Sequence, residues 1–242
     1  MSNVAVIFAG GTGQRMNTRT MPKQFLELHG KPIIVYTIEA FERHSEIDGI
    51  VVVMLDSYIE YTKDLVRRYA LSKVKKIVPG GNSGQESIYN GLCAAAEMYG
   101  EDDIVLIHDG VRPLIDEETI TANIRSVKER GTAITVTAAI ETITMKDETG
   151  AVGRIIDRSQ CELARAPQSF KLGQILSVHN KARQEEGAPL KFIDSASMMK
   201  HYGYKLYTVQ GKPENIKITT PSDFYIFRAM VDARENSQIF GI

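Results

Sequence analysis

Short apolar runs alternating with helical stripes constrain this chain more than any other feature. Val4-Ala5-Val6-Ile7-Phe8, Ile50-Val51-Val52-Val53-Met54-Leu55, Ile77-Val78 and Ile104-Val105-Leu106-Ile107 read as strands buried on both faces. Ile34, Val35, Ile38 and Phe41 recur at helical spacing after Pro32, which suits a first helical turn. Leu65, Val66 and Tyr69, then Ile88, Leu92, Ala95 and Tyr99, and lastly Ile120, Ile124 and Val127 mark three more helices. This alternation predicts an α/β fold: an open, mostly parallel, Rossmann-like sheet covered by helices on both faces. Ligands of such sheets bind at the carboxyl ends of the strands.

The pattern changes near Ile134. Ile134 to Ile140 reads as a strand, and Ile143 to Ile156 as a hairpin turning near Asp147 to Gly150. The hairpin has no core residues of its own, so the segment at about 141–158 is expected to be a protruding arm. Helices follow around Leu172 to Arg183 and Ser195 to Tyr202, with a strand at Leu206 to Val209 and a last helix capped near Ser222. No linker, repeat or low-complexity stretch divides the chain, and residues 1–242 read as one domain.

Composition removes several function classes. A formal net charge of -1 gives no electrostatic case for nucleic acid or an anionic membrane, so an anion site must be a local cluster of cations. The two cysteines, Cys93 and Cys161, do not make a disulfide framework and lack partners for metal or thiol chemistry. No apolar run reaches the roughly 20 residues that span a bilayer, and Met1-Ser2-Asn3 leads into the first strand without a signal segment. A cytoplasmic protein is expected.

Three loops at strand ends carry the chemistry. Ala9-Gly10-Gly11-Thr12-Gly13-Gln14-Arg15-Met16 offers backbone amides without side-chain interference, and Arg15 and Lys23 add cations, which suits phosphates. It is not the dinucleotide fingerprint, because Met16 stands at the third glycine, and Gly30-Lys31 and Gly211-Lys212 lead into proline rather than a P-loop Ser or Thr. The second loop, Gly80 to Ser87, opens a helix and suits a base and ribose, although alone it also reads as a plain helix start. Asp109, in His108-Asp109-Gly110-Val111-Arg112-Pro113, can hold Mg²⁺ against phosphate oxygens or serve only as a turn residue. Lys217, in an alternating Ile216-Lys217-Ile218 run, can approach the phosphates from another side. His108, His179 and His201 receive no chemistry.

Together the first loop, Pro22-Lys23-Gln24-Phe25, Gly80-Gly81, Ser87 with Asn90-Gly91-Leu92, His108-Asp109 with Arg112-Pro113, Pro167-Gln168-Ser169-Phe170 and Asn215 to Asp223 resemble the IspD/TarI cytidylyltransferases over nearly the whole chain. The resemblance implies a nucleotidyltransferase fold, CTP with Mg²⁺, and a homodimer in which each β-arm embraces the other subunit. It implies that Arg15, Lys23 and Lys217 are triphosphate and transition-state cations, that Ala9, Gly10, Gly11, Thr12, Gly13, Gly81 and Ser87 contact the nucleotide, and that Asp109 is the metal ligand. Arg112, Thr142 and Arg158 fall where the family contacts the acceptor's phosphate, some of them across the dimer. The implied reaction transfers CMP from CTP to a small polyol phosphate and releases pyrophosphate.

Val111-Arg112-Pro113 resembles the ribitol 5-phosphate branch of the family, whereas Ile156-Asp157-Arg158-Ser159 resembles the 2-C-methyl-D-erythritol 4-phosphate branch; the first is the expectation taken. Departures from the family pattern are Gly84 in place of a common arginine, Arg165-Ala166-Pro167-Gln168 in place of Gln-Thr-Pro-Gln, and Ile193-Asp194 in place of Thr-Asp. Two competitors are a sugar-1-phosphate enzyme using another base and a catalytically idle nucleotide-binding protein. Lys23, Asp109 and Lys217 together argue against the idle one, since binding alone does not require all three.

Overall fold

The computed structural model describes residues 1–11, 21–185 and 192–240. Val, Ile and Ala dominate β1 (Asn3–Ala9), β4 (Gly49–Met54) and β6 (Ile104–Asp109), and these form the buried centre of a seven-stranded sheet. Among the described residues, the short strands β2 (Glu27–Leu28) and β3 (Lys31–Pro32) pair only with each other. With β5 (Val74–Pro79), β7 (Thr132–Ala138), β10 (Glu162–Lys171) and β11 (Thr208–Gln210) the order is β11-β7-β10-β6-β1-β4-β5. Among these strands β10 alone runs against its neighbours, β6 and β7; the other pairings are parallel. The expected mostly parallel α/β sheet is what the chain forms.

Alternate strand residues face opposite layers, as strand geometry requires. Ala5, Ile7, Val52, Met54 and Leu106 pack with α1 (Ile33–Arg43), α2 (Ile59–Arg68) and α4 (Glu117–Arg130). Val4, Val6, Val51, Val53, Val105 and Ile107 pack with α3 (Gly84–Ala96), α5 (Leu172–Gln184) and α6 (Ser195–His201). Helix α3 approaches the sheet closely at Gly91, where a Cβ would fall 2.5 Å from Val6 Cγ1 and 2.6 Å from Val53 Cγ2. That approach sets the height of the second loop over the strand ends. The last helix, α7 (Pro221–Phe240), buries Phe227 and Val231 against Leu28, Ile33 and Ile218.

Several sequence expectations need correction. Pro32 caps α1 from outside with extended backbone, β7 lies two residues earlier than the run read at 134–140, and β11 starts two residues later and ends one later than the run read at 206–209. Helix α7 is capped at Thr220, where Asp223 Oδ2 accepts from the Thr220 amide at 2.7 Å and Pro221 opens the first turn. Ile216-Lys217-Ile218 does not join the sheet; Ile218 N–H donates to Val111 O at 2.9 Å, which pins the segment beside the end of β6. Strand β10 had no hydrophobic signal because Arg165-Ala166-Pro167 interrupts it. Its ladder to β7 breaks between Ala164 and Gln168, and proline has no N–H to leave unpaired there. The hairpin of β8 (Ile143–Lys146) and β9 (Val152–Ile156) is present and, among the described residues, pairs only with itself.

Candidate active site

The site is built at the carboxyl ends of β1, β5 and β6. Gly10 leaves β1 against the second loop, where a Cβ would meet Ser87 Oγ at 3.0 Å and Gly80 Cα at 3.4 Å. A side chain there would push the two loops apart. Gln24, 1 % exposed, holds the turn from below by donating Nε2–H to Ala9 O at 2.7 Å and Gly11 O at 3.4 Å. Its neighbour Phe25 stacks on Tyr58 at 5.0 Å, which anchors the Lys23–Phe25 3-10 turn and with it Lys23, whose Nζ donates to Ile218 O at 2.9 Å. In the second loop Ser87 Oγ accepts from Gly81 N at 3.0 Å and donates to Ser83 O at 2.9 Å, while Ser83 caps α3 through the Glu86 amide at 3.1 Å. Ser87 thus ties this loop together.

Asp109 ends β6 almost fully buried. Its Oδ2 accepts from Arg112 Nε at 2.8 Å and its Oδ1 lies 2.5 Å from Lys217 Nζ. Burial alone would raise the carboxyl's pKa, but Lys217 and Arg112 pull it down to about 2, so it stays ionised. Arg112 Nη1 donates to Asn215 O at 2.8 Å, and Asn215 Nδ2 donates to Ala166 O at 2.8 Å. This chain of bonds joins the end of β6, the 215–218 segment and the β10 bulge. Beneath it, His108 is a core residue: Nε2–H donates to Arg112 O at 3.2 Å, the ring meets Phe41 edge-on, and burial depresses its pKa to about 4.

Two cavities open over these groups. One of about 680 Å³ is lined by Ala9, Gly10, Gly11, Lys23, Gly81 and Ser87; the other, about 370 Å³, by Arg112, Arg165, Gln168 and Asp194. Asp109 and Lys217 line both, together with Phe8, Ser83 and Gly84. A group held in one cavity therefore meets a group held in the other at the Asp109–Lys217 wall.

Among the expected site residues, Ala9, Gly10, Gly11, Lys23, Gly81, Ser87, Asp109, Arg112 and Lys217 gather here. Thr12, Gly13 and Arg15 lie outside the described residues. Thr142 and Arg158 are exposed at the base of the hairpin, with Arg158 Nη1 donating to Ile140 O at 2.7 Å, and neither lines these two cavities. Gln24 and Asn215 were missed as positioning residues; both stood within quoted motifs, but only the fold shows what they hold. Mg²⁺ prefers one or two carboxylates completed by phosphate oxygens. An ionised Asp109 at the junction of the cavities fits that donor set.

A mostly parallel sheet with a glycine-lined, cation-bearing cleft at its carboxyl edge defines an α/β fold of the nucleotidyltransferase type. A family model described as 2-C-methyl-D-erythritol 4-phosphate cytidylyltransferase, IspD, matches residues 3–233, and the chain belongs to that family. The chain is 51% identical over 239 residues to a ribitol-5-phosphate cytidylyltransferase of Vibrio parahaemolyticus, covering 99% of this chain and 100% of that one. It is 38% identical over 224 residues to a 2-C-methyl-D-erythritol 4-phosphate cytidylyltransferase of Clostridium botulinum, covering 93% and 95%. The crystal structure of 4-diphosphocytidyl-2C-methyl-D-erythritol synthase from Anaerococcus prevotii superposes with a TM-score of 0.81 at 26% identity, covering 96% of each chain.

Proposed function

We propose that this enzyme transfers CMP from CTP to D-ribitol 5-phosphate, giving CDP-ribitol and pyrophosphate. The observation that carries the acceptor is the difference in identity: 51% to the relative named for ribitol 5-phosphate against 38% to the one named for the methylerythritol phosphate. The family description favours 2-C-methyl-D-erythritol 4-phosphate and supplies the second reading.

In this mechanism the larger cavity takes CTP and the smaller the acceptor. An oxygen of the acceptor phosphate attacks the α-phosphorus; the new O–P bond forms as the bond to the bridging oxygen of pyrophosphate breaks, and pyrophosphate leaves with that electron pair. Lys23 and Lys217, with Arg15, counter the charge that grows on the α-phosphoryl and leaving oxygens. Asp109 pairs with Lys217 and Arg112, and once Lys217 turns to the phosphates Asp109 Oδ1 would be open to Mg²⁺, which would neutralise phosphate charge and orient the triphosphate. Nucleotide contacts fall to the amides of Gly10 and Gly11, with Ala9, Thr12 and Gly13 of the same loop, and to the second loop, where Ser87 Oγ already takes the Gly81 amide and fixes Gly81 at the cavity wall. Arg112, Thr142 and Arg158 serve the acceptor, the last two from the partner subunit's arm.

The chain is taken as one catalytic domain acting as a homodimer. Exposed Ile140, Met145, Val152 and Ile155 on and beside the self-paired hairpin support that reading. No described helix is long and apolar enough to cross a membrane, and the unpaired Cys93 and Cys161 support a reducing, cytoplasmic setting. Pyrophosphate release measured with CTP, UTP, ATP and GTP, with and without Mg²⁺, tests the proposal. Release confined to CTP with Mg²⁺ and a polyol phosphate supports it, and release with another base or without an acceptor refutes it.

A further inference from the structure

Arg165 stands at the β10 bulge and lines the 370 Å³ cavity beside Arg112. Its Nε donates to Thr137 Oγ1 at 3.3 Å, and among the described residues no carboxylate pairs with it. The other cations of that cavity are matched: Arg112 by Asp109 and Asn215 O, Lys217 by Asp109. The second carboxylate there, Asp194, is also engaged, accepting from Gln168 Nε2 at 2.8 Å and Ser197 N at 2.8 Å. Burial, and then the Arg112 charge, both lower the Arg165 pKa, which marks an environment unfavourable to its positive charge. A half-buried guanidinium beside a second one, with no counterion, is relieved by an anion placed in the space between them.

We propose that Arg165 binds the phosphate monoester of the acceptor in the smaller cavity, and so helps select a phosphorylated polyol. The inference rests on the acceptor assignment above. The planar fork of Arg165 can take two phosphate oxygens, and the cavity's shared wall then places a third toward Lys217 and the nucleotide. Arg112 is less able to do this alone, because its Nε and Nη1 are already engaged.

Calorimetric titration with ribitol 5-phosphate and, separately, with CTP tests the assignment in wild type, Arg165→Gln and Arg165→Lys. Arg165→Gln should weaken ribitol 5-phosphate binding tenfold or more and Arg165→Lys less, with CTP binding unchanged within twofold. Inorganic phosphate should displace ribitol 5-phosphate from wild type and lose that ability in Arg165→Gln. Unchanged acceptor binding in Arg165→Gln, an equal loss of CTP binding, or equal displacement by inorganic phosphate in both proteins would overturn the proposal. Wild type that binds ribitol 5-phosphate through Arg165 but turns over no acceptor with CTP would instead refute the proposed reaction and leave Arg165 as a phosphate-monoester site.

Discussion

Lys217 Nζ lies 2.5 Å from Asp109 Oδ1, at the wall common to the two cavities. The Lys217 side chain is 41% exposed while that of Asp109 is 10% exposed, so the lysine can leave for a phosphate and the carboxylate cannot. The pair thus holds a cation at the wall where the two cavities meet.

Lys217→Gln should lower kcat by about 10²–10³, the scale for removing one donor aimed at developing charge, with only a small change in urea midpoint. Asp109→Asn should lower kcat at least as much. It should also destabilise the fold by about 3–5 kcal/mol, because Arg112 is left buried without its partner. Steady-state kinetics and urea unfolding read both effects. A Lys217→Gln enzyme with unchanged kcat contradicts the role given to the lysine.

Close packing of α3 on the sheet is needed to bring Ser87 under the glycine turn. Gly91→Ala should cost about 1–3 kcal/mol, since the added methyl meets Val6 and Val53. Gly84→Ala, where a Cβ meets nothing within 4 Å, should be nearly neutral in stability. Equal urea midpoints for the two variants would show that the helix has room to move.

The strands, their alternation and the loops they end in were legible because burial on both faces leaves continuous apolar runs. Asp109 was legible for a related reason: a charged group directly after such a run has to be placed by function or paired; Lys23 and Lys217 were legible from the motifs around them, Pro22-Lys23-Gln24-Phe25 and Ile216-Lys217-Ile218. What was not legible depends on distant partners. Arg165 and Asp109 lie far apart in sequence and line one cavity only because β10 inserts antiparallel between β6 and β7. The β10 bulge hides that strand, since Pro167 and Arg165 look like loop residues until the broken ladder explains them. Gln24 stands within the Pro22-Lys23-Gln24-Phe25 motif, but what it does shows only when its amide is seen to hold Ala9 O.

Acid should destabilise the protein through two buried histidines. Burial holds the His108 and His179 pKa values down to about 4, against 6.5 for the free side chain. As pH falls through 6.5 the unfolded chain takes up these protons while the folded chain does not until near 4. Their contribution to stability is therefore complete above pH 6.5 and lost progressively toward pH 4, with roughly two protons taken up on unfolding near pH 5. Urea midpoints measured from pH 7 to 4.5 should fall. His179→Gln should about halve the slope, and an unaltered slope would remove His179 from the explanation.

The arm should be what joins two subunits. Val152→Asp with Ile155→Asp, at positions 64% and 66% exposed, should give a monomer by sedimentation at micromolar concentration and raise the KM for the acceptor more than that for CTP. A wild-type protein that is itself monomeric under those conditions contradicts the dimer.

The most direct measurement compares kcat/KM for ribitol 5-phosphate and for 2-C-methyl-D-erythritol 4-phosphate, with CTP and Mg²⁺ held saturating and the products identified by mass. The proposed function predicts CDP-ribitol and a preference of tenfold or more for ribitol 5-phosphate, about 1.4 kcal/mol of transition-state discrimination. A tenfold preference for the methylerythritol phosphate, or no cytidylylated product from either acceptor, would contradict it.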